Sequence, residues 1–423
     1  MNGTRTRTGT IPSVGAVRRV DVLVVGAGPA GLAAAARLAA AGAGRVEVLE
    51  RETRPGGVPR HCAHGGFGTW GRPLTGPRYA RLLAEAAERA GATVRTGVSA
   101  LDWGPEGPVL HTTEPRGPEM IEARAVILAT GARERPRAAR LVPGTRPAGV
   151  WTTGELQQAV HLFGQHIGTR AVVVGAEDVS YAALGTVRAA GAEVVALVTE
   201  HPRAQTSRSR AWSARVRGGV PLLTETAVAE LLGRGRLSGV RVRHRDGRTA
   251  ELSCDTVVFT GDFVPEHELA RRGGLALDPG TRGPAVGGRL HTSRPGVLAA
   301  GNVLHAAERA GTAAREGALA AGAVLDFLAG TPWPDRGVPL TVEAPLRWIT
   351  PNRLDPAARP ARYVLRTTTP LTRPVLHVHQ DGRLLHRERP TPGTVLPHRP
   401  LTLTTRWHDR ADPDGGPVRI TTG

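Results

Sequence analysis

The amino-acid sequence predicts an α/β fold made of two Rossmann-like, three-layer domains, the second inserted into the first, and a small β-rich module after them. Two strand-helix-strand patterns predict the domains, one beginning at Val20 and the other at Arg170. The segment after Val297 predicts the insertion, because it returns to the small-residue pattern of the first domain. Apolar β-branched runs that alternate with helical stretches are typical of parallel sheets covered by helices. The predicted parts are a disordered tail (residues 1–18), the first domain (19–148 and 263–330), the second domain (149–262) and the module (331–423).

The clearest motif follows the first predicted strand, Val22 to Val25. Gly26, Gly28 and Gly31 have the spacing GxGxxG, and an alanine-rich helical stretch comes directly after them. The first glycine permits a tight turn, the second lets the backbone approach a pyrophosphate, and the third lets helix and strand pack closely. The phosphates then lie at the helix N-terminus, where free N–H groups and the helix dipole favour an anion. The motif therefore predicts a dinucleotide site.

An acidic residue completes this pattern. Glu50 ends the second predicted strand, nineteen residues after Gly31. A carboxylate at that position can accept hydrogen bonds from both hydroxyls of an adenosine ribose, and it would repel a 2′-phosphate. Strand, glycines, helix and terminal acid in register make the prediction much stronger than a lone glycine motif.

The composition limits the classes of partner. The chain has 423 residues and a formal charge of +18, but all 55 basic residues are arginines scattered along it, and aromatic residues make up only 4%. No stacking platform for bases is visible, so we expect no nucleic-acid partner. Because lysine is missing altogether, Schiff-base chemistry and a lysine acid or base are excluded.

The two cysteines and the hydropathy limit the site further. Cys62 and Cys254 cannot form a disulfide framework, a CxxC pair or a complete iron–sulfur ligand set. We expect no metal site, because His61, Cys62 and His64 have no evident fourth ligand. We expect no membrane association, because no apolar run approaches the length that spans a bilayer. The expected location is cytoplasmic.

The other predicted elements follow in chain order. Arg51 to Pro77 is a long loop rich in Gly, Pro, His and Arg, which is typical of a functional segment. Period-2 and helical patterns then predict the following elements: a helix at 78–90, a strand at 93–103, an antiparallel excursion that returns to a buried strand at 125–129, a helix at 154–164, strands at 170–175, 194–200, 254–261 and 297–302, and a helix at 312–328. The module is predicted from a hairpin around Asp381-Gly382 and a further strand between Leu401 and Trp407.

At this point the chain resembles a known superfamily. GAGPAG with Glu50, ATG at 129–131, a second βαβ unit at 171–200 and AAGN before a helix are similar to the two-dinucleotide-binding-domain flavoproteins, which are pyridine nucleotide-disulfide oxidoreductase-like. GGVPRHCAHGGFG (56–68) and GELQQ (154–158) look most like the FAD subunits of opine, hydroxyproline and cyanide-forming amino-acid dehydrogenases. The resemblance covers about residues 20 to 330.

The resemblance implies an FAD-dependent oxidoreductase that passes hydride or electrons through flavin N5. It could be the electron-relaying subunit of a multi-subunit amine or amino-acid dehydrogenase that acts on a small-molecule substrate, and its partners would be a second flavin subunit plus a small iron–sulfur subunit. Asn302 stands where many members have an aspartate that hydrogen-bonds the ribityl chain, and the helix near Thr312 would point its N-terminus at the flavin. The implied FAD-binding residues are Gly26, Gly28, Pro29, Ala30, Gly31, Glu50, Arg51, Gly57, Val98, Thr130, Gly131, Gly301, Asn302 and Thr312.

The second glycine motif departs from the pattern. Gly175 is kept, but Glu177 stands where the second glycine should be, and Asp178 follows it. The two carboxylates would repel a pyrophosphate. Glu200, however, could still accept hydrogen bonds from the ribose hydroxyls of NAD. NAD(P) therefore stays open as a second nucleotide. The competing interpretation is a retained fold that serves as a scaffold.

The loop at 56–68 holds the candidates for catalysis. Cys62 lies between His61 and His64, and a neighbouring histidine or Arg60 would lower the pKa of its thiol. This favours an alternative function, an NAD(P)H-dependent peroxidase or disulfide-type reductase that uses Cys62. The loop could equally be structural, and the chain a non-catalytic flavin-binding scaffold. Further candidates near the domain crossover and the last helix are Glu134, Arg135, Glu155, Glu308 and Arg315.

Overall fold

The computed structural model describes residues 17–69, 71–306, 308–334, 337–355 and 358–423. The predicted disordered tail falls, as far as residue 16, outside the described residues. Arg18, the last residue of the predicted tail, begins the first strand. Arg18 pairs with Ile121 in the sheet, and its Nε lies 3.2 Å from Glu47 Oε2.

The first part of the chain forms an α/β layer and a strand that leads out of it. Its elements are β1 (Arg18–Val25), α1 (Pro29–Ala40), β2 (Val46–Glu50), a 3-10 turn (Val58–His61), β3 (Phe67–Thr69), β4 (Arg72–Leu74), α2 (Gly76–Arg89), β5 (Thr93–Thr96), β6 (Ser99–Trp103), β7 (Val109–Glu114), β8 (Gly117–Leu128), β9 (Ala132–Glu134) and a 3-10 turn (Arg137–Arg140).

The middle part repeats this plan. Its elements are β10 (Val150–Thr152), α3 (Thr153–His161), β11 (Arg170–Val174), α4 (Asp178–Ala189), β12 (Glu193–Val198), α5 (Arg208–Val216), β13 (Leu222–Leu223), β14 (Thr226–Arg234), β15 (Arg236–His244), β16 (Thr249–Ser253), β17 (Thr256–Phe259) and β18 (Phe263–Pro265). The chain then returns to the first layer through α6 (Glu268–Arg272), β19 (Val297–Ala299), a 3-10 turn (Gly301–Val303) and α7 (Ala310–Leu328).

The first sheet has the order β5-β2-β1-β8, and β8 continues on its other side into both β19 and the antiparallel pair β7-β6. The pairs β1-β2, β1-β8, β2-β5 and β8-β19 are parallel. Val22, Leu23 and Val24 are completely buried, because a parallel strand in the middle of such a sheet is covered on both faces. The helices α1 and α7 pack against each other on one face, with small residues at their contact.

The second sheet has the order β10-β17-β11-β12-β13 and is parallel throughout. The antiparallel strands β14-β15-β16 form a separate sheet, whereas the antiparallel strands β6 and β7 belong to the first sheet and extend it from β8. Both crossings between the two sheets run through one ribbon, in which β9 pairs antiparallel with β18. The Thr130 hydroxyl donates to the Glu266 carbonyl at 2.7 Å and ties the two crossings together at the first sheet.

The C-terminal module is built from short strands: β20 (Val338–Val342), β21 (Leu346–Thr350), β22 (Arg353–Leu354), β23 (Tyr363–Thr367), β24 (Leu371–Thr372), β25 (Leu376–Gln380), β26 (Arg383–Glu388), β27 (Thr394–Val395), β28 (Leu401–Leu403) and β29 (Val418–Thr422), with a 3-10 turn (His408–Arg410). The sheets β22-β20-β29-β25-β26 and β21-β23-β28 enclose their own apolar core, in which the rings of Tyr363 and Trp407 stack at 5.4 Å.

The module docks on the first domain through polar contacts. Asn352 accepts from the Val286 backbone N–H at 2.7 Å and donates through its own N–H to the Val286 carbonyl at 3.1 Å. Arg366 forms an ion pair with Glu308, and both side chains are almost completely buried. Burial lowers the pKa of Arg366, and the Glu308 carboxylate opposes that shift.

The structure confirms the predicted fold class, including the inserted second layer and the β-rich module. The predicted hairpin around Asp381-Gly382 is β25-β26. The residue boundaries proposed for the domains stay a prediction. In the described part of the chain, each helix is too short or too polar to reach across a bilayer.

Candidate functional site

The three glycines of the first motif each have a different steric environment. Gly26 has φ +107°, and a Cβ there would overlap the Ala129 carbonyl oxygen. A Cβ on Gly31 would overlap the Gly26 carbonyl oxygen, so only glycine lets α1 pack this close to β1. A Cβ on Gly28, by contrast, would meet nothing within 4 Å. The backbone at Gly28 therefore faces open space, as an approaching pyrophosphate requires.

The N-terminus of α1 is open to an anion. Its N-cap is Gly28, Pro29 follows it, and the first turn contains no acidic residue. Within this described segment no side chain caps the helix. The free N–H groups and the helix dipole are thus left for a negatively charged ligand.

Glu50 lies beside this helix end and is 7% exposed. Its Oε2 accepts from the Ala27 N–H at 3.2 Å, and its Oε1 accepts from the Glu52 N–H at 3.0 Å. Burial raises the pKa of Glu50, and the two backbone N–H groups oppose that shift. Each carboxylate oxygen keeps a further lone pair, so both can still accept from ribose hydroxyls.

Two segments converge on the same helix end. Gly57 has φ +59°, and a Cβ there would come within 2.9 Å of the Gly28 Cα, so the loop after β2 closes over the motif. From the other side Gly301, with φ +82°, packs so close to Ala30 that a Cβ would lie 2.7 Å from the Ala30 Cβ. These glycines bring three chain segments, far apart in sequence, to one helix N-terminus.

The loop after β19 is held by polar contacts. Asn302 Oδ1 accepts from the Glu308 N–H at 2.9 Å and its Nδ2 donates to the Glu308 carbonyl at 3.2 Å. Both amide atoms are therefore used inside the loop, and the predicted contact of Asn302 with a ribityl chain stays a prediction. Glu316 on α7 accepts from the Gly301 N–H at 3.0 Å, and its carboxylate also lies 3.0 Å from Nε2 of the buried His305. Sequence reasoning missed this Glu316–His305 pair.

The remaining predicted FAD residues lie around this centre in different settings. Val98 is buried, and its N–H donates to the Glu50 carbonyl at 2.9 Å. The Arg51 side chain is 69% exposed. Gly131 has φ +78° beside the crossing ribbon. Thr312 lies in the first turn of α7, which begins two residues earlier than predicted, at Ala310.

The three predicted catalytic residues are not brought together. His61 and Cys62 are each 7% exposed, whereas His64 is exposed and contacts the Gly65 carbonyl at 2.7 Å. Cys62 Sγ lies 3.4 Å from both the Val58 carbonyl oxygen and Gln157 Oε1. The cluster expected from the sequence is therefore split between the interior and the surface.

The expected lowering of the Cys62 pKa is wrong. Burial raises the pKa of Cys62 to about 12, and the Glu134 carboxylate adds to that shift. Burial also lowers the pKa of His61 to about 4, with smaller effects from Arg60 and His161, so this imidazole is neutral. A neutral histidine cannot stabilise a thiolate as a cation would.

Glu134 is the titratable group that the fold adds next to Cys62. Its Oε2 accepts from the Gly154 N–H at 2.7 Å, in the first turn of α3. Its Oε1 is buried without a hydrogen-bond partner, although the Thr153 hydroxyl lies against the carboxylate. Burial raises the pKa of Glu134 to about 7, and the Gly154 N–H opposes that shift. The sequence placed Glu134 only near the crossover, because its contact with α3 depends on how β9 leaves the sheet.

The second glycine motif is closed by its own side chain. Glu177 is 7% exposed, and its Oε2 accepts from the Ala176 N–H at 2.9 Å. Gly175 has φ +135°, as the turn requires, and Glu200 lies exposed just beyond the end of β12. The fold of a nucleotide site is present, but the residues at its phosphate position do not fit a pyrophosphate.

Comparison with known proteins places the chain in a family. The chain matches the pyridine nucleotide-disulphide oxidoreductase family over residues 20–317 and belongs to it. Thioredoxin reductase of Mycolicibacterium smegmatis is 31% identical over 307 residues, which cover 71% of this chain and 94% of that protein. The crystal structure of thioredoxin reductase from T. acidophilum has a TM-score of 0.63 at 24% identity, covering 74% of this chain and 100% of that one. This likeness confirms the two-dinucleotide-domain fold.

Two further relatives are named as subunits of oxidases. The A subunit of opine oxidase from Rhizobium meliloti is 30% identical over 362 residues, which cover 77% of this chain and 66% of that protein. The alpha subunit of sarcosine oxidase from Rhizobium meliloti (strain 1021) is 29% identical over 273 residues, 60% of this chain. This chain spans only 25% of the length of that sarcosine oxidase chain.

The chain is an FAD-dependent oxidoreductase of this family, and the family uses FAD and NAD(P)H. The residues at the first motif fit FAD, because Gly28 is open, the N-terminus of α1 lacks a capping carboxylate, and Glu50 keeps acceptor capacity. Among the described residues, His, Cys, Asp and Glu side chains form no group of three or more that could hold a metal ion.

Proposed function

We propose that this chain is the FAD-bearing, electron-relaying subunit of a multi-subunit oxidase or dehydrogenase that acts on amines or amino acids. The observation that carries the proposal is the similarity to the A subunit of opine oxidase, which extends over 77% of this chain. A second relative, the alpha subunit of sarcosine oxidase, supports the same class. Opines and sarcosine are N-substituted amino acids, so a secondary amine next to a carboxylate is the substrate class we propose.

Oxidation of such an amine removes a hydride from the carbon beside nitrogen and a proton from the nitrogen. In the relay proposed here the hydride passes to the flavin of a partner subunit, and the FAD that this chain would hold supplies an electron carrier that no amino-acid side chain provides. In this proposal Gly26, Gly28 and Gly31 position the pyrophosphate and Glu50 the ribose. The N-terminus of α7, near Thr312, stabilises negative charge at the flavin edge through its dipole.

The relay role implies other chains. We propose that the amine is oxidised on a second flavin subunit, through which electrons reach or leave the flavin of this chain. A small iron–sulfur subunit is the second proposed partner. Cys62 and Cys254 are both buried, free cysteines and cannot ligate a cluster, so any cluster belongs to a partner.

The alternative is a disulfide-type reductase or a peroxidase that uses Cys62, and the thioredoxin reductase relative favours it. Disulfide exchange requires an attacking thiolate and, to complete the cycle, a second thiol. Cys62 is buried with a raised pKa, and Cys254 lies in the core of the second domain. The thiol chemistry of this chain therefore supports the relay in preference to the reductase.

The test is purification of the tagged chain from its native cells, in which the proposed partner subunits would also be expressed. We expect one FAD for each chain, co-purification of a second flavoprotein, and reduction of this flavin by sarcosine or an opine only when that partner is present. Reduction of disulfides by the isolated chain, lost in Cys62→Ser, would favour the reductase instead. A protein without flavin that cannot be reconstituted with FAD would exclude both.

A further inference from the structure

The two helix N-termini that follow the glycine motifs have the same backbone. The N-cap of α1 is Gly28, with φ −82° and ψ −175°, and the N-cap of α4 is Glu177, with φ −91° and ψ 173°. Gly26 and Gly175 both have positive φ in the preceding turn. Because the N-cap backbones correspond, the difference that bears directly on a phosphate is the N-cap residue itself, glycine at one site and glutamate at the other.

At the second site a carboxylate side chain stands where Gly28 stands at the first site, and hydrogen bonds within the motif hold it there. Its Oε2 accepts from the Ala176 N–H at 2.9 Å and its Oε1 accepts from the Thr260 hydroxyl at 2.7 Å. The Ser180 hydroxyl accepts from the Glu177 N–H at 3.2 Å, which closes the first turn of α4. A Cβ on Gly261 would come within 2.5 Å of Glu177 Oε1, so the carboxylate is packed against the backbone on that side.

Neighbouring segments close the same position from outside. The Gln205 N–H donates to the Ala176 carbonyl at 2.8 Å and brings the loop after β12 onto the motif. Asp178, the first residue of α4, faces Arg210 at 3.4 Å and Arg399 of the C-terminal module at 3.7 Å. The module thus reaches the end of the helix that would carry the nucleotide phosphates.

The carboxylate of Glu177 is also an electrostatic obstacle. A pyrophosphate bound at this helix end would approach a buried carboxylate group that the Ala176 N–H and the Thr260 hydroxyl hold in place. The described first turn of α1 contains no acidic residue. The chain therefore contains one glycine motif that is open to a phosphate, at Gly28, and one that a carboxylate closes, at Glu177.

We propose that Glu177 closes the second nucleotide site, so that the flavin of this chain does not receive electrons from NADH or NADPH. The inference rests on the proposed relay function, because the electrons must then come from an amine substrate or a partner protein. The second domain keeps its sheet for a structural purpose, and its former phosphate end holds the C-terminal module through Asp178 and Arg399.

The test is an anaerobic titration of the FAD-loaded protein. We expect dithionite to bleach the flavin and NADH and NADPH to leave it oxidised, and we expect no saturable binding of either nucleotide in calorimetry up to about millimolar concentration. Saturable bleaching by NADH or NADPH, or saturable binding of either to the unmodified protein, would overturn the proposal. Failure to bind FAD, or lack of response to dithionite, would instead contradict the proposed function.

Two variants test the role of the carboxylate itself. Glu177→Gly restores the glycine spacing and Glu177→Ala removes the carboxylate with less effect on the backbone. In whichever variant folds and retains FAD, we expect affinity for NADH or NADPH to rise at least tenfold above that of the unmodified protein. Glu193→Ala removes an exposed carboxylate from the same domain and is the matched control, with no gain. Folded, FAD-loaded Glu177 variants that bind neither nucleotide would show that another feature closes the site, against the proposal.

Discussion

His305 Nε2 lies 3.0 Å from Glu316 Oε1 beside the loop at Gly301, and the histidine is buried whereas the carboxylate is partly buried. The ring of His305 also stacks on Trp348 of the C-terminal module, with centroids 6.1 Å apart. Burial alone lowers the pKa of His305, but the Glu316 carboxylate outweighs it, so the net shift is upward. When His305 is protonated, it neutralises the carboxylate that holds the loop.

The pair predicts a pH-dependent contribution to stability. Because the folded-state pKa of His305 is raised, its stabilisation is fully present below the pKa of the unfolded chain and is lost as pH rises through the folded value. We expect His305→Gln to lower the free energy of unfolding more near pH 6 than near pH 9. Urea denaturation at both pH values measures the difference. His377→Gln, in the C-terminal sheet, is the control, and an equal loss at both pH values would contradict the prediction.

The glycine motif predicts two separable defects. Gly31→Ala places a methyl group on the Gly26 carbonyl oxygen, so it should destabilise the fold by about 1–3 kcal/mol or more. Gly28→Ala meets no protein atom within 4 Å, so it should lower the melting temperature of the FAD-free protein much less than Gly31→Ala does, and it should lower FAD affinity. Flavin absorbance of the purified protein and a thermal melt separate the two effects. Gly185→Ala on α4, which also meets nothing within 4 Å, is the control: it should keep FAD affinity and should not lower the melting temperature, because alanine favours a helix interior.

The raised pKa of Cys62 predicts an unreactive thiol. At pH 8 a thiol of pKa about 12 is ionised in roughly one molecule in ten thousand. Iodoacetamide should therefore modify Cys62 far more slowly in the folded protein than in concentrated guanidinium, as mass spectrometry of the labelled peptide would measure. Under the relay proposal, Cys62→Ser keeps flavin reduction within about twofold. Rapid labelling of Cys62 in the folded protein at neutral pH would contradict the prediction that this thiol is buried and unreactive.

Glu134 predicts a second pH effect. Its pKa is raised from an ordinary 4.5 to about 7 by burial, so the stability of the neutral form is present at low pH and is lost as pH rises through about 7. Glu134→Gln mimics the neutral form and should gain up to about 3 kcal/mol relative to the unmodified protein between pH 5 and pH 8. Denaturation curves at both pH values measure the gain. Glu193→Gln is an exposed control, and a gain independent of pH would refute this interpretation.

The ion pair between Glu308 and Arg366 predicts strong coupling between the module and the first domain. Removing the carboxylate from a buried pair costs about 3–5 kcal/mol, so Glu308→Ala should destabilise the protein by that order. Glu308→Leu combined with Arg366→Met should recover much of the loss, because a buried pair and an apolar pair of similar volume differ little. A double-mutant cycle from urea denaturation measures the coupling, and additive single effects would contradict it.

Local patterns were sufficient for most of the fold. Hydrophobic periodicity and the positions of glycines are sufficient to predict two of these elements. They are the strand at Arg170–Val174 and the helix that ends at Leu328. The strand predicted at 125–129 is in fact Gly117–Leu128, because the antiparallel hairpin with β7 extends it backwards without a break. The hydrophobic pattern of the sequence reveals the buried C-terminal part of this strand and not its partly exposed N-terminal part.

The site was less predictable, because its decisive contacts join distant segments. Glu308 and Arg366 are 58 residues apart, and no local signal links them. Glu134 acquires its raised pKa from burial against α3, which the sequence does not encode near residue 134. Glu177 is different, since its place in a glycine motif already indicated a conflict with phosphate, and the structure adds how the carboxylate is held.

The ribbon of β9 and β18 gives the two sheets a single mechanical joint. The outgoing and returning chain segments are hydrogen-bonded to each other. Any rotation of the second sheet relative to the first would therefore use this ribbon as a single hinge, because the two segments cannot move independently. The C-terminal module contacts the first domain through Asn352 and the second through Arg399. The module therefore contacts both domains that the ribbon joins.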